Sequence, residues 1–182
     1  MRDSLFFLVR VLSHLYLLLF LMRFIMQWIR ADFYNPLAQF IVKATNPVIM
    51  PVRRVLPATA SVDLPTLVVL IVIEVLVTWL LLNIASAPVM LSEFAVYVLL
   101  RLVSLTLSLY TWTILVYVIL SWISPGGGYH PLTMILAELN EPVLKPIRRV
   151  LPMMSGFDLS PMLAVILIQA VSLALPLPSL LR

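Results

Sequence analysis

The chain predicts an all-α, polytopic membrane protein: four transmembrane helices in two tandem two-helix repeats, with cytoplasmic amphipathic helices between the spans. Three observations lead there. Hydrophobic residues make up 63% of its 182 residues and charged residues only 11%, about half the charge of a soluble domain. Such a chain cannot bury its apolar side chains in one core, so the bilayer must solvate much of its surface. Four apolar stretches reach spanning length. Residues 34–57, YNPLAQFIVKATNPVIMPVRRVLP, are echoed without a gap at 129–152, YHPLTMILAELNEPVLKPIRRVLP.

A shift of 95 residues lays Pro36 on Pro131, Pro47 on Pro142, Pro51 on Pro146 and Arg53-Arg54-Val55-Leu56 on Arg148-Arg149-Val150-Leu151. Asp63 and Asp158 follow at one common offset, and a long apolar run follows each. The chain therefore divides into repeats at 1–88 and 89–182. Each repeat carries an even number of spans, so both insert with one orientation, related by a pseudo-two-fold axis along the membrane normal.

The spans are expected at about 5–29, 64–84, 94–123 and 159–181, since crossing needs about 20 residues at about 1.5 Å each. The first is too long for a secretory signal, and no small-x-small cleavage site follows it. Pro176 and Pro178 are expected to end the fourth helix early. Arg30, Lys43, Arg53 and Arg54 follow the first span, and Lys145, Arg148 and Arg149 follow the third. The connection at 85–93 holds no cation. The positive-inside rule then puts both repeat connections in the cytoplasm and both termini outside. The expected location is a membrane that the chain crosses several times.

Each connection begins with an amphipathic helix. Leu37, Phe40, Ile41 and Ala44 share one face, as do Leu132, Ile135, Leu136 and Leu139. Asn35 is placed to cap the first. A second element begins at Pro47 or Pro142, and Pro51 and Pro146 are expected to force a kink or a 3₁₀ turn. That turn presents Arg53-Arg54 and Arg148-Arg149 to one side, and Pro57 and Pro152 stop it. The four arginines are the candidate site for anionic head groups or a protein partner. The plainer reading is that they only hold topology, which does not explain an identical five-residue string in both copies. Asp63 and Asp158 read as helix caps of the spans that follow.

Charges inside the spans are few. Glu74 lies about 15 Å into the second span, near mid-membrane. Arg23 lies about 10 Å inside the cytoplasmic edge of the first. Aligning Trp28 with Trp122 sets Tyr117 opposite Arg23, and the 95-residue shift sets Gln169 opposite Glu74. Both charges vanish together in the second copy, so Arg23 and Glu74 are expected to touch as an intramembrane polar pair. Otherwise Glu74 is a proton or cation site. Arg10 and Arg101 are expected to reach the outer head groups, and His14 to make a hydrogen-bonded helix contact. Trp28 and Trp122 read as interfacial belt residues.

The chain has no cysteine and two histidines, His14 and His130. That excludes disulfides and cysteine-ligated metals and argues against a histidine-rich one. No nucleophile–base–acid set or HExxH is present, and Gly126-Gly127-Gly128 lacks the Lys-Ser/Thr of a phosphate loop. No enzyme activity, cofactor or metal is expected. The net charge of +4 suits a membrane surface, not direct contact with nucleic acid. Homo-oligomers remain compatible with the sequence.

The string NPV-x-x-PVRRVLP, its second copy EPVLKPIRRVLP, the Asp158-Leu159-Ser160-Pro161 that follows and the duplicated two-span unit together resemble the YggT family of bacterial membrane proteins. The likeness covers essentially the whole chain. Single-repeat relatives in Gram-positive bacteria, cyanobacteria and plastids fit an origin in a two-span ancestor that dimerised and fused. Relatives have been associated with cell division, plastid nucleoid distribution and cytochrome assembly, and bacterial members with osmotic or ion tolerance. The resemblance implies a membrane organising or assembly factor. The alternative it leaves open is a small ion or osmolyte channel or transporter. Asp63-Leu64-Pro65 lacks the serine of the second copy, so the two copies need not be equivalent.

Overall fold

The computed structural model describes residues 2–56, 63–123, 131–151 and 158–181. Within them the chain is helical: α1 (Arg2–Trp28), α2 (Pro36–Arg53), α3 (Leu64–Ala85), α4 (Leu91–Ile123), α5 (Pro131–Val150), α6 (Ser160–Ala174) and a 3₁₀ turn at Ser179–Leu181. Pro57, Pro152, His130 and the triple glycine lie outside the described residues.

Three helices, α1, α3 and α4, are long and apolar enough to cross a membrane. At 1.5 Å per residue they measure about 40, 33 and 50 Å, against a hydrocarbon core of about 30 Å. The fourth stretch departs from the expected full-length span. Helix α6 has 15 residues, about 22 Å. The cause is local. Leu175 precedes Pro176 and takes an extended conformation (φ −63°, ψ 129°), because the proline ring disfavours the helical region for the residue before it. The chain then turns back into the protein, burying Leu177 and Leu181.

Helices α1 and α3 end without glycine. Arg30 (φ 57°) and Ser86 (φ 51°) take the left-handed conformation. The next amides, of Ala31 and Ala87, then reach back to the carbonyls of Met26 at 2.9 Å and Leu82 at 3.0 Å. These are Schellman-type closures, which satisfy orphan carbonyls at the cost of about 1–2 kcal/mol of local strain.

Helix α2 begins as its sequence suggests, with Asn35 Oδ1 accepting from the Leu37 amide at 2.9 Å. It then runs unbroken through Pro47 and Pro51, and α5 runs unbroken through Pro142 and Pro146. The expected separate second element with a 3₁₀ turn is therefore absent, and one α-helix covers both parts. All four prolines are exposed. The carbonyls they leave without helical donors, four residues earlier, belong to Lys43, Pro47, Glu138 and Pro142, on the same exposed faces. The buried faces, with Ile41, Thr45 and Ile49 in α2 and Leu136, Asn140 and Leu144 in α5, lie away from the gaps.

Each repeat packs chiefly on itself, α1 on α3 and α4 on α6, with α2 and α5 against the long apolar helices of their own repeat. The halves meet through α1–α4, α3–α4 and α2–α5. The larger core is built on Leu17, Phe20, Met26, Ile41, Ile49, Leu81 and Leu139. A smaller one in the second repeat holds Ile114, Leu144, Ala164 and Ile168. Because the prolines in α2 and α5 weaken exposed helix faces only, Pro51→Ala combined with Pro146→Ala should raise the thermal unfolding midpoint in detergent. The gain should be up to about 3 kcal/mol per site. A lowered midpoint would mean that the prolines make a contact the fold needs.

Candidate functional site

The chemistry-bearing side chains fall into two groups, one where α1 ends and α3 begins, and one deep between the repeats. The first, the basic end, is built the same way twice. Arg53, at the last turn of α2, donates Nη2 to Asp63 Oδ2 at 2.8 Å, just before α3. Arg148, near the end of α5, donates Nε to Asp158 Oδ2 at 2.9 Å, just before α6. Each bond spans ten residues and joins the two ends of the connection between α2 or α5 and the next apolar helix.

The aspartates do more than cap. Asp63 makes no side-chain capping bond to the backbone, which departs from the role expected of it. Its Oδ2 instead accepts from the Thr66 hydroxyl at 2.6 Å as well as from Arg53, and Arg23 Nε stands 3.9 Å away. Asp158 Oδ1 accepts from the Ser160 amide at 2.9 Å, and Arg148 reaches a second carboxylate, Glu141, at 3.0 Å. Burial pushes the Asp158 carboxyl up, but bonds from Ser160 and the Arg148 guanidinium outweigh it and hold it below its ordinary range.

The candidate arginines therefore divide. Arg53 and Arg148 are ion-paired and partly buried, whereas Arg54 and Arg149 are exposed in both copies. Their neighbours Val55 and Val150 are exposed too. Trp28 and Trp122, at the ends of α1 and α4, are also largely exposed.

The expected Arg23–Glu74 pair does not form. Arg23 is buried at the basic end, where Nη1 donates to Thr45 Oγ1 at 2.6 Å, Asn46 Oδ1 at 2.9 Å and the Val42 carbonyl. Glu74, 1% exposed, accepts from Arg101 Nε at 2.5 Å and from the Thr78 hydroxyl. Arg101 does not extend to the head groups, as expected, but is buried and also donates to the Leu181 carbonyl at 3.1 Å. Depth explains the exchange. Glu74 lies eleven residues before the end of α3, and Arg101 ten after the start of α4. Both are about 15 Å from the same end of the bundle, joined there by a short connection, whereas Arg23 lies near the other end. That count was the missed signal. The joint loss of charge in the second copy reflects two separate clusters: Tyr117 lies by Arg148, and Gln169 donates to Thr111 Oγ1 at 3.3 Å.

Beside Glu74 and Arg101, His14 Nε2 lies 3.2 Å from Ser108 Oγ. These are equivalent positions when Trp28 is set on Trp122, so α1 and α4 touch through matching positions of the two repeats. Two cavities of about 270 and 310 Å³ share His14 and Ser104 in their walls. A further buried bond, Thr113 Oγ1 to Asn140 Oδ1 at 2.7 Å, links α4 to α5. It carries no charge pattern that would reveal it in the sequence.

Two tests follow from this geometry. Glu74→Gln should lower stability by about 3 kcal/mol or more, because it leaves a buried guanidinium uncompensated. Adding Arg101→Met should restore most of that, and adding Arg23→Tyr should not, as read by unfolding in detergent. Separately, a carboxylate with a depressed folded pKa stabilises the fold above its unfolded pKa, and the contribution fades as pH falls through the carboxylate range. The unfolding temperature should therefore drop on acidification from neutral pH, and Asp158→Asn should flatten that drop.

The family model described as CCB3/YggT matches residues 3–85 and again residues 96–178. The chain is 37% identical over 171 residues to the Escherichia coli K12 protein named Uncharacterized protein YggT, covering 94% of this chain and 88% of that one. It is 36% identical over 175 residues to Uncharacterized protein PA0392 of Pseudomonas aeruginosa, covering 95% and 88%. A Vibrio alginolyticus protein, named for its place in the proC 3' region, is 41% identical over 160 residues, covering 87% and 85%. No solved structure matches. Two consecutive matches to one family model, and relatives aligned along nearly their full length, place this chain in the CCB3/YggT family, with the family's unit present twice in tandem.

Proposed function

We propose that the chain is a non-enzymatic organising or assembly factor of the bacterial inner membrane that holds anionic lipid head groups at its basic end. In this reading both termini lie toward the outer side, residues 175–181 fold back against Arg101, and α2 and α5 lie on the cytoplasmic side. The observation that carries it is the division of each arginine pair. One arginine is locked onto the aspartate that opens the next helix, and its neighbour is exposed at the same place in both copies. The locked neighbour fixes the backbone from which the exposed guanidinium projects, and guanidinium matches phosphate oxygens by its planar fork. Exposed Val55, Val150, Trp28 and Trp122 on the same end suit the depth of the head groups. A protein partner at this face is the other outcome that the same surface allows.

The second reading is a small ion or osmolyte conductor, favoured by the cavities around His14 and Ser104. A conductor needs Glu74 open to water. Glu74 and Arg101 line the smaller cavity, but Glu74 is 1% exposed and bonded to Arg101, an arrangement that suits a structural pair better than a conducting path.

Native mass spectrometry of the protein released from phosphatidylglycerol-containing membranes tests the reading. Arg54→Gln with Arg149→Gln should weaken phosphatidylglycerol retention about fivefold at each copy without lowering the unfolding temperature, at about 1 kcal/mol for each cation near a lipid surface. Arg53→Gln with Arg148→Gln should lower the unfolding temperature. Unchanged lipid retention in the Arg54/Arg149 variant, with both variants folded, would leave a protein partner as the occupant of this face.

A further inference from the structure

The two surface helices share a backbone and a burial pattern but not a charge. Residues 36–56 carry three cations, Lys43, Arg53 and Arg54, and no carboxylate. Residues 131–151 carry three cations and two carboxylates. The 95-residue shift sets Glu138 on Lys43 and Glu141 on Asn46, so two groups that donate hydrogen bonds become two that accept them. Lys43 and Glu138 are both exposed.

In the first repeat those positions border an open groove of about 630 Å³. Phe33, Val42, Pro47 and Met50 make it apolar, and Lys43 and Asn46 are among its polar walls. Arg23 takes the Asn46 carbonyl oxygen at 2.9 Å, which leaves the amide N–H₂ of Asn46 as its donor side. An ammonium and an amide donor over an apolar floor complement a phosphate attached to a hydrocarbon chain. The groove lies at the end of the bundle where α1 finishes and α3 begins, so it sits where α2 would meet the head groups of the leaflet. In the second repeat Lys145 falls on the same helix face, but it stands one turn from Glu141, and Glu138 takes the place of the groove's lysine.

We infer that the groove on α2 is a binding site for one anionic phospholipid, with its phosphate on Lys43 and Asn46 and an acyl chain along Phe33, Val42 and Met50. The α5 face, by carrying Glu138 and Glu141, does not take such a lipid. This rests on the head-group reading above and sharpens it: the two basic ends are unequal, and the first repeat holds the tightly bound lipid.

The experiment is native mass spectrometry of the full chain reconstituted in nanodiscs, with phosphatidylglycerol compared with phosphatidylcholine. Wild type should retain one phosphatidylglycerol more tightly than any phosphatidylcholine. Lys43→Glu should weaken that retention about thirtyfold, from two units of charge change at about 1 kcal/mol each, with the unfolding temperature unchanged. Glu138→Lys with Glu141→Asn should create a second retained phosphatidylglycerol. Two equally held lipids in wild type, or a retained lipid indifferent to Lys43→Glu, would overturn the inference while leaving lipid binding at the arginines intact. Equal retention of the two lipids by wild type would overturn both this site and the head-group reading on which it rests.

Discussion

A guanidinium ending each surface helix grips the carboxylate that opens the next apolar helix, and the geometry of each repeat depends on that bond. Apolar packing already holds α2 on α3 and α5 on α6, but it is tolerant of sliding and rotation. The Arg53–Asp63 and Arg148–Asp158 bonds set the distance between the end of one helix and the start of the next. They also fix which face of α2 or α5 turns inward. Asp63 is fully enclosed while Asp158 is about a quarter exposed. The first pair therefore carries a larger desolvation penalty, and Thr66 together with the nearby Arg23 helps to offset it.

The halves are held together by different chemistry. Asn35 donates Nδ2 to the Pro131 carbonyl at 2.6 Å, joining the start of α2 to the start of α5. His14 of α1 faces Ser108 of α4. Glu74 of the first repeat is bonded to Arg101 of the second, and Arg101 to the carbonyl of Leu181. In a region with little water, such bonds also specify which helices pair, because no alternative partner offers the same satisfaction. The Glu74–Arg101–Leu181 set additionally anchors residues 175–181 where α6 has already ended.

Duplication did not preserve equivalence. The first repeat has the longer second apolar helix, α3 against α6, and supplies most of the larger core, to which the second repeat adds Leu105, Leu109, Ile135 and Leu139 among others. It also has a surface helix without acidic groups, whereas the second has Tyr117 in place of Arg23 and two carboxylates on α5. What both copies retain is the arginine–aspartate bond and the exposed arginine beside it. That pattern separates what the fold needs from what each copy presents.

The repeat, the all-helical character, three of the long apolar helices and the placement of cations at one end were legible in the sequence. They follow from composition, local periodicity and the proline-bracketed string, all of which act over short stretches of chain. The early end of α6 was legible for the same reason, as Pro176 acts on its immediate neighbour. Partner choice was not. Lipid-facing and core-facing leucines are equally apolar, so α3 shows no buried stripe in its sequence, although Thr66, Leu70, Glu74, Val77 and Leu81 form one in the structure. Arg23 was assigned to Glu74 because they sit on adjacent helices, but the depth of each from its own helix end decides contact. Continuity of α2 and α5 through their prolines also awaited tertiary structure, because a missing backbone bond is tolerable only where its carbonyl faces outward. The sequence by itself determined which segments are helical and where charge collects. Only the packed helices decided which charges meet, since that depends on depth and rotation about each axis, which a uniformly apolar sequence leaves unmarked.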